Sequence, residues 1–278
     1  MEINGKVLQI ELLRGLEERI KILTEKGITP GIAIVTLGPE ESWEAYVGQK
    51  IKLAKQLQIE AKLINLNPSK TEDVLSVIDD LNSNLSIHGL IVQRPFPTYI
   101  DTERVIQSVS KKKDIDGFRK DSKFEVPVWL AVEYFIKHIG HLLVGSENQK
   151  WLSNQSILVV GHGETAGQPV INGLKKIGIE PVVIDSKTRD TFRYYEDADI
   201  IILATGKRIE VPFKKLKKNC ILIGIGLHRE QGKLQGDFDD FEASNHVLYY
   251  TPSPGGVGPL NLYFLFENLI KACEEGTH

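Results

Sequence analysis

The sequence predicts an α/β protein in two domains, and three observations carry that prediction. Short apolar runs bounded by glycine and proline alternate with stretches of helical period, the β-α-β-α order of a mostly parallel sheet covered by helices. A second such run, Ser156-Ile157-Leu158-Val159-Val160, leads into the glycine-rich turn Gly161-His162-Gly163-Glu164-Thr165-Ala166-Gly167. At 278 residues the chain is long enough for two domains of ordinary size.

Taken in order, Val7 to Lys26 reads as a helix, with Leu8, Leu12, Leu13, Leu16, Ile20 and Leu23 on one stripe. Gly31 to Leu37, held between Pro30 and Gly38-Pro39, reads as a buried strand. Glu44–Leu57 is predicted helix, Ala61–Leu66 strand, Thr71–Leu81 helix and Ile87–Val92 strand. The segment from Asp114 to Ser122 is polar and irregular. Val128 to Ile139 is predicted helix, and His141 to Ser153 a loose stretch leading to the second domain. There, strands are expected at Ser156–Val160, Pro181–Asp185, Ile200–Ala204, Cys220–Ile225 and Val247–Tyr250.

Composition narrows the class of function. Hydrophobic content of 41% and charged content of 26% describe a globular protein, and a net charge of −3 gives no global attraction to nucleic acid or anionic membrane. Lys111-Lys112-Lys113 is the only run of three basic residues and reads as a solvated loop. Cys220 and Cys273 are too few for a disulfide framework, and no histidine spacing suggests a metal site. No apolar run approaches the roughly 20 residues that span a bilayer, and the polar N-terminus has no signal-peptide core. The expected compartment is the cytoplasm.

Chemistry is first legible at the glycine turn. Gly161-x-Gly163-x-x-x-Gly167, between a strand and a helix, has the setting of a dinucleotide fingerprint, with its last glycine one residue late. Asp185 ends the next predicted strand, 24 residues after Gly161. A carboxylate there accepts from the adenosine ribose hydroxyls and repels a 2′-phosphate, which favours NAD over NADP. Lys187 and Arg189 nearby oppose that reading, because either suits a phosphate. His162 and Ser186 adjoin the two segments, and Ala204-Thr205-Gly206 forms a second turn facing the same cofactor.

In the first half, Tyr46 and Lys50 stand four residues apart on one helical face. A lysine in apolar surroundings has a lowered pKa and serves as acid or base; a snorkelling lysine on an amphipathic helix has the same spacing. Gln93 follows a strand directly and Asp116 occupies a loop beyond the sheet, where ligands bind in open α/β folds. An amide and a carboxylate there suit a nitrogen-rich heterocycle. Finally, Pro254-Gly255-Gly256-Val257-Gly258-Pro259 permits close approach of backbone to a ligand, and Val257 to Ile270 reads as the helix that follows it.

As a set, in this order, these motifs resemble the bifunctional methylenetetrahydrofolate dehydrogenase/cyclohydrolase family nearly end to end. Ile3-Asn4-Gly5-Lys6, Gly27-Ile28-Thr29-Pro30-Gly31 and Tyr46-Val47-x-x-Lys50 are similar to its landmarks. His88-Gly89-Leu90-Ile91-Val92-Gln93-Arg94-Pro95-Phe96-Pro97 resembles its His-Gly-Ile-Leu-Val-Gln-Leu-Pro-Leu-Pro, and Lys113-Asp114-Ile115-Asp116-Gly117-Phe118 its Lys-Asp-Val-Asp-Gly-Phe. The hexapeptide at Pro254 matches unchanged. The resemblance implies two α/β domains with a cleft between them, the second a Rossmann-like dinucleotide-binding domain. Residues 1–141 with 257–278 would form the catalytic, folate-binding domain, and residues 142–256 the NAD(P)-binding domain. It implies oxidation of 5,10-methylenetetrahydrofolate to the methenyl form with NAD(P), then hydrolysis to 10-formyltetrahydrofolate. Lys50 would be the central acid/base group, Gln93 would position it, Tyr46 would stack on the substrate and Asp116 would hold the pterin. Pro254, Gly255 and Gly256 would line the folate site, and a homodimer is the family's usual state.

This chain departs from the family mainly in its second half. The family's Gly-Arg-Ser-x-x-Val-Gly becomes Gly161-His162-Gly163-Glu164-Thr165-Ala166-Gly167, which removes an arginine and a serine associated with the 2′-phosphate. Arg119-Lys120-Asp121-Ser122 stands where the family continues His-Pro-x-Asn, and Asn261 replaces a threonine after the glycines. These departures motivate two rivals: a dehydrogenase of the same fold acting on another planar substrate, and a catalytically silent folate- or nucleotide-binding module.

Overall fold

Seven consecutive buried residues make β1 (Gly31–Leu37) the centre of a three-stranded parallel sheet, flanked by β2 (Glu60–Leu66) and β3 (Gly89–Val92). The computed structural model describes residues 1–39, 43–230 and 233–276. The chain forms two units, one of Glu11–Pro127 with Leu262–His278, the other of Met1–Ile10 with Val128–Asn261.

In the three-stranded unit, Ala33, Val35 and Leu37 pack with Val74, Ile78 and Leu81 of α3 (Thr71–Ser83) and with Leu90 of β3. The part of the expected α1 (Gly5–Glu25) stripe that belongs to this unit is buried at Leu13, Leu16, Ile20 and Leu23. Helix α2 (Glu44–Gln56) and the strands fall where periodicity places them. A short helix, α4 (Thr102–Ser108), was not expected; the Asp101 carboxylate accepts from Arg104 N at 3.0 Å and caps it. The basic run is also corrected. Lys113 does not point into solvent: its Nζ donates to the carbonyls of Leu81, Asn82 and Asn84 at 2.9, 2.7 and 2.8 Å, closing the C-terminal end of α3.

The other unit is a five-stranded sheet in the order β10-β7-β6-β4-β5, parallel throughout. Its strands are β4 (Ile157–Val160), β5 (Val182–Ile184), β6 (Ile200–Leu203), β7 (Ile221–Gly224) and β10 (Tyr249–Tyr250). The middle strands β4, β6 and β7 are buried along their whole length, which is why they read as unbroken Ile/Val/Leu runs. From β4 the chain passes through α7 (Gly167–Lys176) to β5 on one side, then returns to β6 on the other. The ends of β4 and β6 therefore form a topological switch point, where such sheets bind ligands.

Three features differ from expectation. The loose stretch at 141–153 is mostly helical: α5 (Pro127–Val144) runs on past Ile139, and α6 (Asn148–Leu152) follows a 3₁₀ turn. Gly140 lies against the Trp151 ring, so this segment is packed. Helices α8 (Phe192–Asp197) and α9 (Asp240–His246), and the antiparallel hairpin of β8 (Leu227–Glu230) and β9 (Lys233–Gly236), carry too few apolar residues to show a period. The division between units falls at 10/11, 127/128 and 261/262, inside or at the edge of α1, α5 and α10 (Val257–Glu275), rather than at 141/142 and 256/257. Trp129, in the first turn of α5, packs flat on Gly173 of α7, which ties that turn to the five-stranded unit.

Candidate active site

Lys50 lies in the second turn of α2, and Gln93 is the first residue beyond β3. Gln93 N still pairs with Val35 O at 2.8 Å, so the sheet fixes its backbone. Gln93 Nε2 donates to Arg94 O at 2.9 Å, which turns the amide oxygen toward the lysine. Lys50 Nζ donates to that oxygen at 2.8 Å. The lysine stem is partly accessible, but its ammonium is desolvated. Burial lowers its pKa, the nearby Asp116 carboxylate raises it, and the Arg94 guanidinium lowers it further. Tyr46, one turn earlier on α2, keeps 52% of its surface exposed and presents an open aromatic face.

Asp116 sits in a turn that several groups hold rigid. Gly117 N donates to Asp114 O at 3.0 Å, and Gly117 adopts φ +74°. A side chain there would come within 2.8 Å of Phe124 O, so glycine is required on both counts. Asn268 of α10 is buried and donates through Nδ2 to Ile115 O at 2.9 Å and Glu125 O at 3.0 Å, binding both flanks of the loop. Asp114 accepts from Arg119 N at 3.0 Å, and burial pushes its pKa up to about 6. The Arg94 guanidinium stacks on Phe118, 3.7 Å from the ring centroid. One residue from Gln93 and electrostatically coupled to Lys50, Arg94 belongs to this constellation. Its signal in the sequence is an arginine where the family pattern has leucine, and nothing in the spacing gives that arginine a role.

The five-stranded unit gathers the other candidates at the C-terminal edge of its sheet. Gly161, at φ +93°, ends β4, and a Cβ on it would lie 2.7 Å from Ala204 O. The loops after β4 and β6, which carry His162, Gly163, Thr205 and Gly206, therefore run against each other. Gly167 begins α7 so close to Gly161 O that any side chain would overlap it, whereas Gly163 faces open space. No side chain caps the α7 N-terminus at Ala166; Gln168 N donates to Gly163 O at 3.0 Å and Pro169 has no N–H, so the end of the helix offers an anion chiefly its dipole and the Gly167 amide. Crowded glycines at the turn and one open glycine beside an uncapped helix fit a dinucleotide pyrophosphate.

Asp185 follows β5, where the sequence places it. Its Oδ1 accepts from Lys187 N at 2.9 Å and Thr188 N at 3.1 Å, and its Oδ2 lies 3.1 Å from His162 Nε2. Those backbone and imidazole bonds, with the Thr188 hydroxyl, hold its pKa down at about 2. Ser186 is exposed beside it. Pro254, Gly255 and Gly256 lie in this same unit, directly before α10. Gly5 backs onto Gly256 so closely that a side chain on Gly5 would strike its carbonyl.

A parallel sheet with a switch-point glycine turn and an acidic residue after the next strand defines a nicotinamide-dinucleotide-binding α/β enzyme. Residues 3–116 match the tetrahydrofolate dehydrogenase/cyclohydrolase catalytic domain, and residues 139–277 match the NAD(P)-binding domain of the same proteins. The bifunctional protein FolD of Bacillus licheniformis is 33% identical over 278 residues, covering 98% of this chain and 96% of that one. FolD of Janthinobacterium sp. is 31% identical over 278 residues, covering 99% and 98%. The crystal structure of the Campylobacter jejuni bifunctional FolD methylenetetrahydrofolate dehydrogenase/cyclohydrolase superposes with a TM-score of 0.90 at 29% identity, covering 99% of each chain. The chain belongs to the tetrahydrofolate dehydrogenase/cyclohydrolase family.

Proposed function

We propose that Lys50 is the acid/base group of a bifunctional enzyme that oxidises 5,10-methylenetetrahydrofolate and hydrolyses the methenyl product to 10-formyltetrahydrofolate. The 2.8 Å hydrogen bond from a desolvated Lys50 Nζ to Gln93, with Asp116 close enough to act on its charge, carries this reading. When bound, NAD(P) supplies the hydride acceptor at its nicotinamide ring. In hydrolysis, the neutral amine of Lys50 takes a proton from the water that attacks the methenyl carbon. As the carbon–N5 bond breaks, the resulting ammonium returns a proton to N5, and the remaining hydroxyl proton passes to solvent as the formyl C=O forms on N10. Gln93 aims the lone pair, Asp116 accepts from the pterin N–H groups, and Tyr46 offers a stacking face. Folate chemistry is assigned to the unit carrying Lys50, and cofactor binding to the unit carrying Gly161.

NAD is the favoured oxidant. Asp185 is ionised throughout the working pH range, since its carboxyl is held at about 2, and it would repel a 2′-phosphate. Absorbance of the methenyl product with NAD and with NADP tests both parts. The expected kcat/KM is at least about tenfold higher with NAD, the weight of one unfavourable charge contact. Faster turnover with NADP would contradict the preference alone, whereas no methenyl product with either would contradict the activity.

A homodimer is the proposed assembly. Val182 and Val183 on the edge strand β5, and Ile177 after α7, expose apolar surface that a second copy would cover, and light scattering at micromolar concentration would show twice the 31.2 kDa chain mass. A reducing cytoplasm suits two buried, unpaired cysteines, Cys220 and Cys273. Among the described residues, no helix is long and apolar enough to cross a membrane.

A further inference from the structure

We propose that Asp237 is a positioning residue for the dinucleotide: a buried carboxylate that locks together the loops leaving β6 and β7. Asp237 follows β9 directly and is 0% exposed. Its Oδ1 accepts from Thr205 Oγ1 at 2.9 Å and from Lys207 N at 3.2 Å, and its Oδ2 accepts from Gly226 N at 2.9 Å. Thr205 N lies 3.4 Å from Oδ2. The main chain adds a further tie, Ile209 N donating to Asp237 O at 2.9 Å.

These donors come from two separate segments: the loop after β6, with Thr205 32 residues before Asp237, and Gly226, 11 residues before it across the base of the β8–β9 hairpin. A carboxylate removed from water is costly unless donors saturate it. Here the saturating groups are mostly loop amides, so the cost is offset only while both loops keep this shape. Gly226 shows how tight the arrangement is. A side chain on it would overlap both carboxylate oxygens and Gly206 N, so the two loops meet at the closest approach backbone allows.

The lock acts on one wall of the switch-point crevice. The loop after β6 that Asp237 holds is the loop that abuts Gly161 through Ala204. At the other side, Gly236 presses on Ser253, the residue before the Pro254 hexapeptide. Asp237 therefore sets the shape of the cofactor wall with its carboxylate turned inward onto protein donors. This inference rests on the dinucleotide-binding reading of the unit but requires no turnover.

Asp237→Asn is the direct test, because it conserves size and replaces one acceptor oxygen with an N–H₂ that faces N–H donors. Titration calorimetry on the full chain would measure NAD and NADP affinity, alongside methenyl hydrolysis and thermal midpoint. The expected result is a rise in Kd for NAD of about tenfold or more, the effect of one or two buried donors left without an acceptor. Methenyl hydrolysis, which uses Lys50 and Gln93, stays within about twofold, a split that general structural damage would not produce. Wild-type NAD affinity in the variant overturns the proposal, as does parallel loss of both activities. If the variant does not fold, amide hydrogen exchange on the free wild-type chain decides. The Lys207 and Gly226 amides are expected to be protected before any cofactor is added, and exchange at open-loop rates overturns the proposal. A wild-type chain that binds NAD without turnover would sink the proposed activity and leave the lock standing.

Discussion

At the scale of single residues, the proposed function centres on Lys50, where three neighbours act on one ammonium. Gln93 fixes the direction of its ammonium, burial lowers its pKa, and Asp116 and Arg94 pull that pKa in opposite directions. A lysine with a lowered pKa delivers its neutral form at lower pH. The rate of methenyl hydrolysis should therefore rise with pH and level off below the ordinary lysine range near 10.4. Arg94→Leu removes the charge that lowers the Lys50 pKa, so the rising limb should move to higher pH, and an unmoved limb would show that the arginine has no electrostatic role. Asp185→Asn should narrow the NAD/NADP ratio, measured as the ratio of kcat/KM values. Lys50, Gln93 and Asp116 were legible in the sequence as candidates, because each occupies a motif of fixed spacing. Arg94 was not, because its role comes from stacking on Phe118, a contact that no period or spacing encodes.

At the scale of elements, the loop carrying Asp116 depends on a helix from the other end of the chain. Asn268→Ala would leave two buried carbonyls, of Ile115 and Glu125, without this donor. The expected cost is about 1–3 kcal/mol by denaturant unfolding, with KM for folate raised and NAD affinity unchanged. Asp114 gives the same loop a pH dependence. Its folded pKa, about 6, lies above the unfolded value near 3.9, so its contribution is fully present below pH 4 and is lost as pH rises through 6. Asp114→Asn should flatten the stability curve over that window by at most about 3 kcal/mol, seen as thermal midpoints at pH 4 to 7. Elements with a buried face were readable: β1 matches its predicted bounds, and the core strands differ by a residue or two. The β8–β9 hairpin and α9 were not readable, because Arg229, Glu230, Asp240 and Glu242 break any apolar pattern where solvent covers one side.

At the scale of the whole molecule, the proposed function divides one reaction between the two units. On that reading the unit with Lys50, Gln93 and Asp116 would hold the proton chemistry, and the unit with Gly161, Asp185 and Asp237 would hold the cofactor. The division between the units was not legible in the sequence, because α1, α5 and α10 are continuous helices that it crosses without any break in apolar period. This separation has a consequence for mutants. A change at the lysine should silence the chemistry and spare the cofactor, and a change at the buried aspartate should do the reverse. The most direct test is Lys50→Met, assayed for methenyl formation, methenyl hydrolysis and NAD binding on the same preparation. Both activities are expected to fall by about 100-fold or more, the weight of a lost acid/base group, with NAD affinity and thermal midpoint near wild type. Undiminished turnover in that variant would contradict the assignment of Lys50 as the acid/base group.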